Sequence, residues 1–144
     1  MLLVIDVPGI IARSETMSRI TPKSVSHAVA EWRQLRPRVT KSLLAGIVQR
    51  IVEKFRAEKI VLFGSYANGD PDRDSDVDLL VVMDSKEPMS QRIRRVTEVA
   101  KVRFLPMDIV VRTPAEIDER LAIGDFFIAD ILSTGKVLYQ RDAR

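Results

Sequence analysis

Two apolar runs, joined through a Gly-Ser turn and a polar loop, constrain this chain more than any other feature. The first run is Val61-Leu62-Phe63, followed by Gly64-Ser65; the second is Ser75-Asp76-Val77-Asp78-Leu79-Leu80-Val81-Val82. A strand shows every second side chain on one face, so Asp76 and Asp78 project together while Val77 and Leu79 point the other way. Two carboxylates on one face repel each other and favour a cation between them. Hard divalent ions with oxygen ligands, Mg²⁺ above all, suit that arrangement. Gly64 lets the backbone approach closely, and with Ser65 it offers N–H and hydroxyl donors to a phosphate. A phosphate cradle beside a carboxylate-bound metal is the equipment of phosphoryl or nucleotidyl transfer. The competing reading, an Asp-rich surface loop, accounts for Asp70, Asp72 and Asp74 among turn formers. It does not account for Asp76 and Asp78, because aspartate is disfavoured in strands.

Gly64-Ser65, Gly69 and Ser75-Asp76-x-Asp78-Leu79 resemble the Gly-Ser-x(n)-Asp-x-Asp signature of the DNA polymerase beta-type nucleotidyltransferase superfamily. The likeness is closest to its small prokaryotic branch, the minimal nucleotidyltransferases. The resemblance implies an α/β (α+β) fold, a small mixed β-sheet flanked by helices. It implies Asp76 and Asp78 as catalytic metal ligands, two Mg²⁺ ions, and ATP or another NTP whose phosphates lie against Gly64 and Ser65. A third carboxylate lies on a later strand in the superfamily. Asp108, at the start of Met107-Asp108-Ile109-Val110-Val111, matches it by context, as ligand and as base on the attacking hydroxyl. The competing reading of Asp108 is a strand-edge residue facing solvent.

The same resemblance supplies a partner. Small members of this branch are commonly antitoxins that AMPylate a tyrosine of a helical HEPN-type RNase toxin. This chain has no Arg-x(4–6)-His toxin signature of its own, since Ile20, Thr21 and Pro22 precede His27 at the relevant spacings. The toxin is therefore expected to be another protein. Two alternatives stand beside it: a non-catalytic antitoxin or binding module, and a small-molecule transferase of the aminoglycoside-modifying type.

The rest of the chain reads as alternating helices and strands. Residues 1–20 form an irregular arm broken at Pro8-Gly9, with Met17 as an alternative start. Thr21-Pro22 opens a helix to Leu35 carrying Trp32, and Arg36-Pro37 ends it. Residues 1–36 are thus an N-terminal arm and helix, a candidate docking arm, and 37–144 the catalytic domain. Thr40 caps a helix whose stripe is Leu43, Leu44, Ile47, Val48, Ile51, Val52 and Phe55. Its Lys41, Arg50, Lys54 and Arg56 read as a solvated face. Ile60–Phe63 and Val77–Val82 are strands. Met89–Phe104 is a helix capped by Ser90, burying Ile93, Val96, Val99, Ala100 and Val102, with Arg92, Arg94, Arg95, Lys101 and Arg103 outside. Pro114–Leu121 and Phe126–Leu132 are helices, and Lys136–Tyr139 is a last strand.

Composition excludes more than it assigns. With no cysteine and a single histidine, thiolate zinc sites and paired-histidine chemistry are ruled out, and a reducing cytoplasm is the expected setting. The net charge of +3 favours an anionic nucleotide but does not by itself indicate nucleic-acid binding. No stretch has the length of a membrane span, and the apolar start lacks a basic leader.

Overall fold

The computed structural model describes residues 22–142, and the chain divides into two compact units between Leu35 and Arg36. The readings of residues 1–20, Met17 and the Thr21 cap lie outside the described residues. In the first unit, helix α1 (Pro22–Leu35) has no buried residue. Val25 and Val29 on it are about half exposed, and His27 Nε2 lies 3.3 Å from Glu31 on an open surface. A catalytic histidine needs a partner group and a cleft; His27 has only this i,i+4 carboxylate.

The second unit is built on helix α2 (Lys41–Phe55), strand β1 (Lys59–Phe63), a short helix α3 (Ser65–Asn68) and strand β2 (Val77–Val82). Helix α4 (Met89–Ala100) and strand β3 (Met107–Arg112) follow. Helices α5 (Pro114–Ala122) and α6 (Phe126–Thr134) lead to strand β4 (Lys136–Gln140). The strands form one sheet in the order β3-β2-β1-β4. β1 runs antiparallel to both β2 and β4, whereas β2 and β3 are parallel, joined through α4. The sheet is therefore mixed and helix-flanked, as expected.

Alternation along the strands sorts the core into two layers. Ile60, Leu62, Leu79, Val81, Ile109 and Val111 pack with Ile47 and Ile51 of α2 and Val96 and Ala100 of α4. Val61, Leu80 and Val82 face the other way, onto Ile117 of α5 and Ile128 and Ile131 of α6. β2 is covered on both faces, which is why it reads as an almost unbroken apolar run. Thr40 caps α2 by accepting from the Leu43 N–H at 3.1 Å. Arg50 lies on the exposed face and also bridges to α4. Its guanidinium donates to the Val99 and Ala100 carbonyls at 3.0 and 2.9 Å, closing the C-terminal end of α4.

α4 departs from expectation in three ways. It ends at Ala100, because the chain turns through Val102 and Leu105, which bridge each other, with Phe104 at φ 62°. Pro88, not Ser90, occupies the N-cap. Arg92 is buried, 3% exposed, rather than on the outer side. It shares the inner face with Val96 and Ala100, and its guanidinium forks onto Glu116 of α5 at 2.6 and 3.0 Å. Glu116 also accepts from the Thr113 N–H in the capping box that starts α5. The hydrogen bond from Arg92 is the main cause holding the Glu116 carboxyl below its usual range. Arg92→Ala is expected to cost about 2 kcal/mol, from the lost charge-assisted hydrogen bonds and the packing of the buried arginine, with Glu116 reaching water. Urea unfolding reads this directly; a change under about 0.5 kcal/mol would remove the pair from the account of the fold.

Candidate active site

β1 ends at Phe63, and the chain turns out of the sheet at Gly64, whose φ of +71° is a left-handed value that side-chain-bearing residues avoid. Gly64 then caps α3, its carbonyl accepting from the Ala67 and Asn68 N–H groups. A four-residue helix thus stands where a loop was expected. Tyr66 is partly buried and packs against the core.

The loop back to the sheet is held by its own polar groups. Asp72 Oδ1 accepts from the Asp74 N–H at 2.7 Å, and the Ser75 hydroxyl accepts from the Asp72 N–H at 2.8 Å. Arg36 Nη1 donates to the Arg73 carbonyl at 3.0 Å, tying the loop to the segment before α2. Ser75 therefore closes this loop, and Asp72 is a turn builder. Arg36 was not legible as a site-building residue, because its sequence neighbourhood says only that a helix ends there.

Register brings the acidic residues together. Phe63 is opposite Asp78 in the antiparallel pair, and Asp78 is beside Asp108 in the parallel pair. Asp78 shares its face with Leu80 and Val82, the side covered by α5 and α6. Asp76 stands one residue before β2 begins, exposed at the sheet end rather than within the strand. Asp108 is exposed near the start of β3, an edge strand. Asp78 is half-buried, and its carboxyl is pushed above the usual range, first by burial, then by the like charges of Asp108 and Asp76. The three carboxylates thus act on one another electrostatically. A Cβ placed on Gly64 would lie 2.2 Å from Asp78 Oδ2, so this backbone runs directly against the carboxylate.

Among the described residues, no three acidic or histidine side chains converge into a ready-made metal cage. The donor set still suits a hard cation: carboxylate oxygens at one sheet end, with the Asp78 carboxyl raised by burial and by the like charges of Asp108 and Asp76. Mg²⁺ is commonly held by one or two carboxylates plus substrate phosphates instead of a complete protein cage. Asp78 with Asp108 or Asp76 fits that description.

Comparison with known proteins agrees with this geometry. The profile of the nucleotidyltransferase domain matches residues 44–137, from α2 to the beginning of β4. A Methanocaldococcus jannaschii protein named "Putative protein adenylyltransferase" is 33% identical over 58 residues, 40% of this chain and 58% of that protein's length. A second protein of the same name and organism is 34% identical over 86 residues, covering 58% of this chain and 80% of its own. A crystal structure described as a putative nucleotidyltransferase from Sulfolobus solfataricus shares the fold at a TM-score of 0.52. It is 21% identical and covers 78% of this chain and 86% of its own. A toxin–antitoxin structure with AMP-PNP overlaps at a TM-score of only 0.43 and 16% identity, covering 68% of this chain and 74% of its own, a likeness from which no partner follows. No described helix is long and apolar enough to cross a membrane. The signature turn, the strand register that sets Asp78 beside Asp108, and the matching profile all fall on the same residues: the chain belongs to the nucleotidyltransferase domain family, which implies a nucleoside triphosphate as substrate.

Proposed function

We propose that this chain transfers a nucleoside monophosphate from an NTP, ATP first among them, to a hydroxyl of a protein. The observation that carries the reading is the juxtaposition of Gly64, Asp78 and Asp108 at one end of the sheet. Gly64 and Ser65 receive the triphosphate tail. Asp76, Asp78 and Asp108 would hold Mg²⁺, two ions in the full site, which when bound neutralises the phosphate oxygens. The acceptor hydroxyl attacks the α-phosphorus, a new O–P bond forms, the bond to the β-phosphate oxygen breaks, and pyrophosphate departs. Asp108, exposed at the edge strand, takes the hydroxyl proton in this reading.

A protein acceptor is favoured by the name that the Methanocaldococcus relatives carry. The resemblance to minimal nucleotidyltransferases extends this to an antitoxin role, with a HEPN-type toxin AMPylated in a reducing cytoplasm. The test is α-labelled ATP with Mg²⁺ and the product of the neighbouring reading frame. Label on that protein, absent with Asp76→Ala/Asp78→Ala, is the expected result. Label that survives the double substitution would refute the site. Label on an aminoglycoside alone would move the acceptor to small molecules. Binding of the neighbour without any label would favour the non-catalytic module.

The open donor set makes a separate prediction. Mg²⁺ alone is expected to shift the melting temperature little, because the carboxylates are not a closed cage. Mg²⁺ with ATP at about a hundredfold over the Kd is expected to raise it by about 5–10 °C. Equal shifts with and without ATP would mean a metal site independent of the nucleotide.

A further inference from the structure

The corner between α5 and α6 carries large apolar side chains that the fold leaves uncovered. Phe126 is 89% exposed, Ile123 70%, Phe127 53% and Leu121 41%. α6 buries Ile128 and Ile131, while Phe126 and Phe127 at its start stay largely outside the core. Neighbouring apolar groups of this size on a small chain mark a contact surface.

The corner is also acidic on a chain that is basic overall. Between Pro114 and Thr134 lie five acidic residues against one arginine, while the whole chain carries a net +3. Glu116 is taken by Arg92, and Arg120 stands 3.8 Å from Asp125. Asp118, Glu119 and Asp130 stay exposed around the apolar side chains. The corner also reaches the catalytic end of the sheet. Phe127 meets Phe63 edge to face at 5.8 Å, and Phe63 is in register with Asp78.

We propose that this corner docks the acceptor: a protein segment whose apolar side chains are flanked by lysine or arginine and whose hydroxyl is thereby delivered beside Asp78. It rests on the transferase reading above and adds to it the class of acceptor. Apolar anchors supply the affinity, and the acidic rim selects the sign of the flanking charge and is screened by salt. An RNA acceptor would meet like charge here. A two-fold contact of the corner with its own copy would set acid against acid.

The test separates docking from chemistry. The probe is a twelve-residue peptide with one tyrosine among leucines and lysines; one control replaces the lysines by glutamate, another the leucines by glycine. Amide shifts of the ¹⁵N-labelled protein, without nucleotide, are expected to cluster on residues 121–131 for the probe only. Phe126→Asp and Ile123→Asp, at exposed positions, are each expected to weaken binding at least about tenfold. With Mg²⁺ and α-labelled ATP, the same substitutions are expected to raise KM for the peptide and leave ATP binding unchanged. Binding at the corner without any transfer would keep the docking surface and overturn the transferase reading. Transfer indifferent to peptide charge or to Phe126→Asp would overturn the docking surface and keep the transferase. A wild-type dimer that Phe126→Asp splits into monomers would show that the corner contacts itself, and would overturn the proposal.

Discussion

Asp78→Asn is expected to lower transfer by about a thousandfold while raising the melting temperature at neutral pH. The loss follows from removing a carboxylate that, in the proposed reaction, would hold the Mg²⁺ facing the phosphates, a contribution of several kcal/mol at about 1.4 kcal/mol per tenfold. The gain follows from the raised pKa of Asp78. A carboxyl whose pKa is higher in the fold than in the unfolded chain favours folding when protonated. That contribution is complete below the unfolded-state pKa and is lost as pH rises through the folded-state value. Asparagine mimics the protonated form at every pH. The variant is therefore expected to melt higher than the parent at pH 7 and alike at pH 3, in metal-free buffer. A variant that melts lower at pH 7 would mean that Asp78 has a stabilising partner, contrary to its burial and to the like charges of Asp108 and Asp76.

Gly64→Ala is expected to lower transfer by about a hundredfold, the scale of a misplacement near 1 Å at a reacting centre. Two costs are combined there. The φ of +71° disfavours any Cβ, by about 1–2 kcal/mol, and the new Cβ falls 2.2 Å from Asp78 Oδ2, so the carboxylate must swing away. Gly69→Ala separates the two. Gly69 has a similar φ of +78° with nothing within 4 Å of its Cβ position. It is expected to lose less stability, because its ψ of 14° is αL while the ψ of −154° at Gly64 is a glycine-only region, and to keep transfer within about threefold of the parent. If both alanine variants retain transfer, the contact between Gly64 and Asp78 does not position the carboxylate.

Several parts of this structure were legible because one physical cause dominates each. The stripe from Leu43 to Phe55 and the runs ending at Phe63 and Val82 appear in the fold nearly as read, since burial of one face leaves little choice. Asp78 and Asp108 were legible as candidates, and the parallel register sets them side by side. Asp76 falls just before the strand read at Val77–Val82, and there the ladder begins, with Val77 donating to the Pro106 carbonyl; the strand alternation that paired it with Asp78 does not extend to it. Arg92 was misread for a definite reason. It shares the i, i+4, i+8 face of Val96 and Ala100, yet its charge assigned it to solvent, and the partner that permits burial is Glu116 on another helix. α3 was invisible because four residues carry no periodicity. The exposure of Phe126 was equally hidden, since an apolar helix is read as a buried one until its packing partner is known.

The parallel pairing of β2 with β3 also bears on how long the folded molecule lasts. These strands meet only after all of α4 has crossed between them, so the repulsion that Asp108 sets against Asp78 acts once that pairing has closed. Relieving it with Asp78→Asn is expected to slow unfolding and leave the folding rate alone, lengthening the native lifetime. The carboxylates that serve the chemistry would in this way also set the half-life of the protein between encounters with nucleotide.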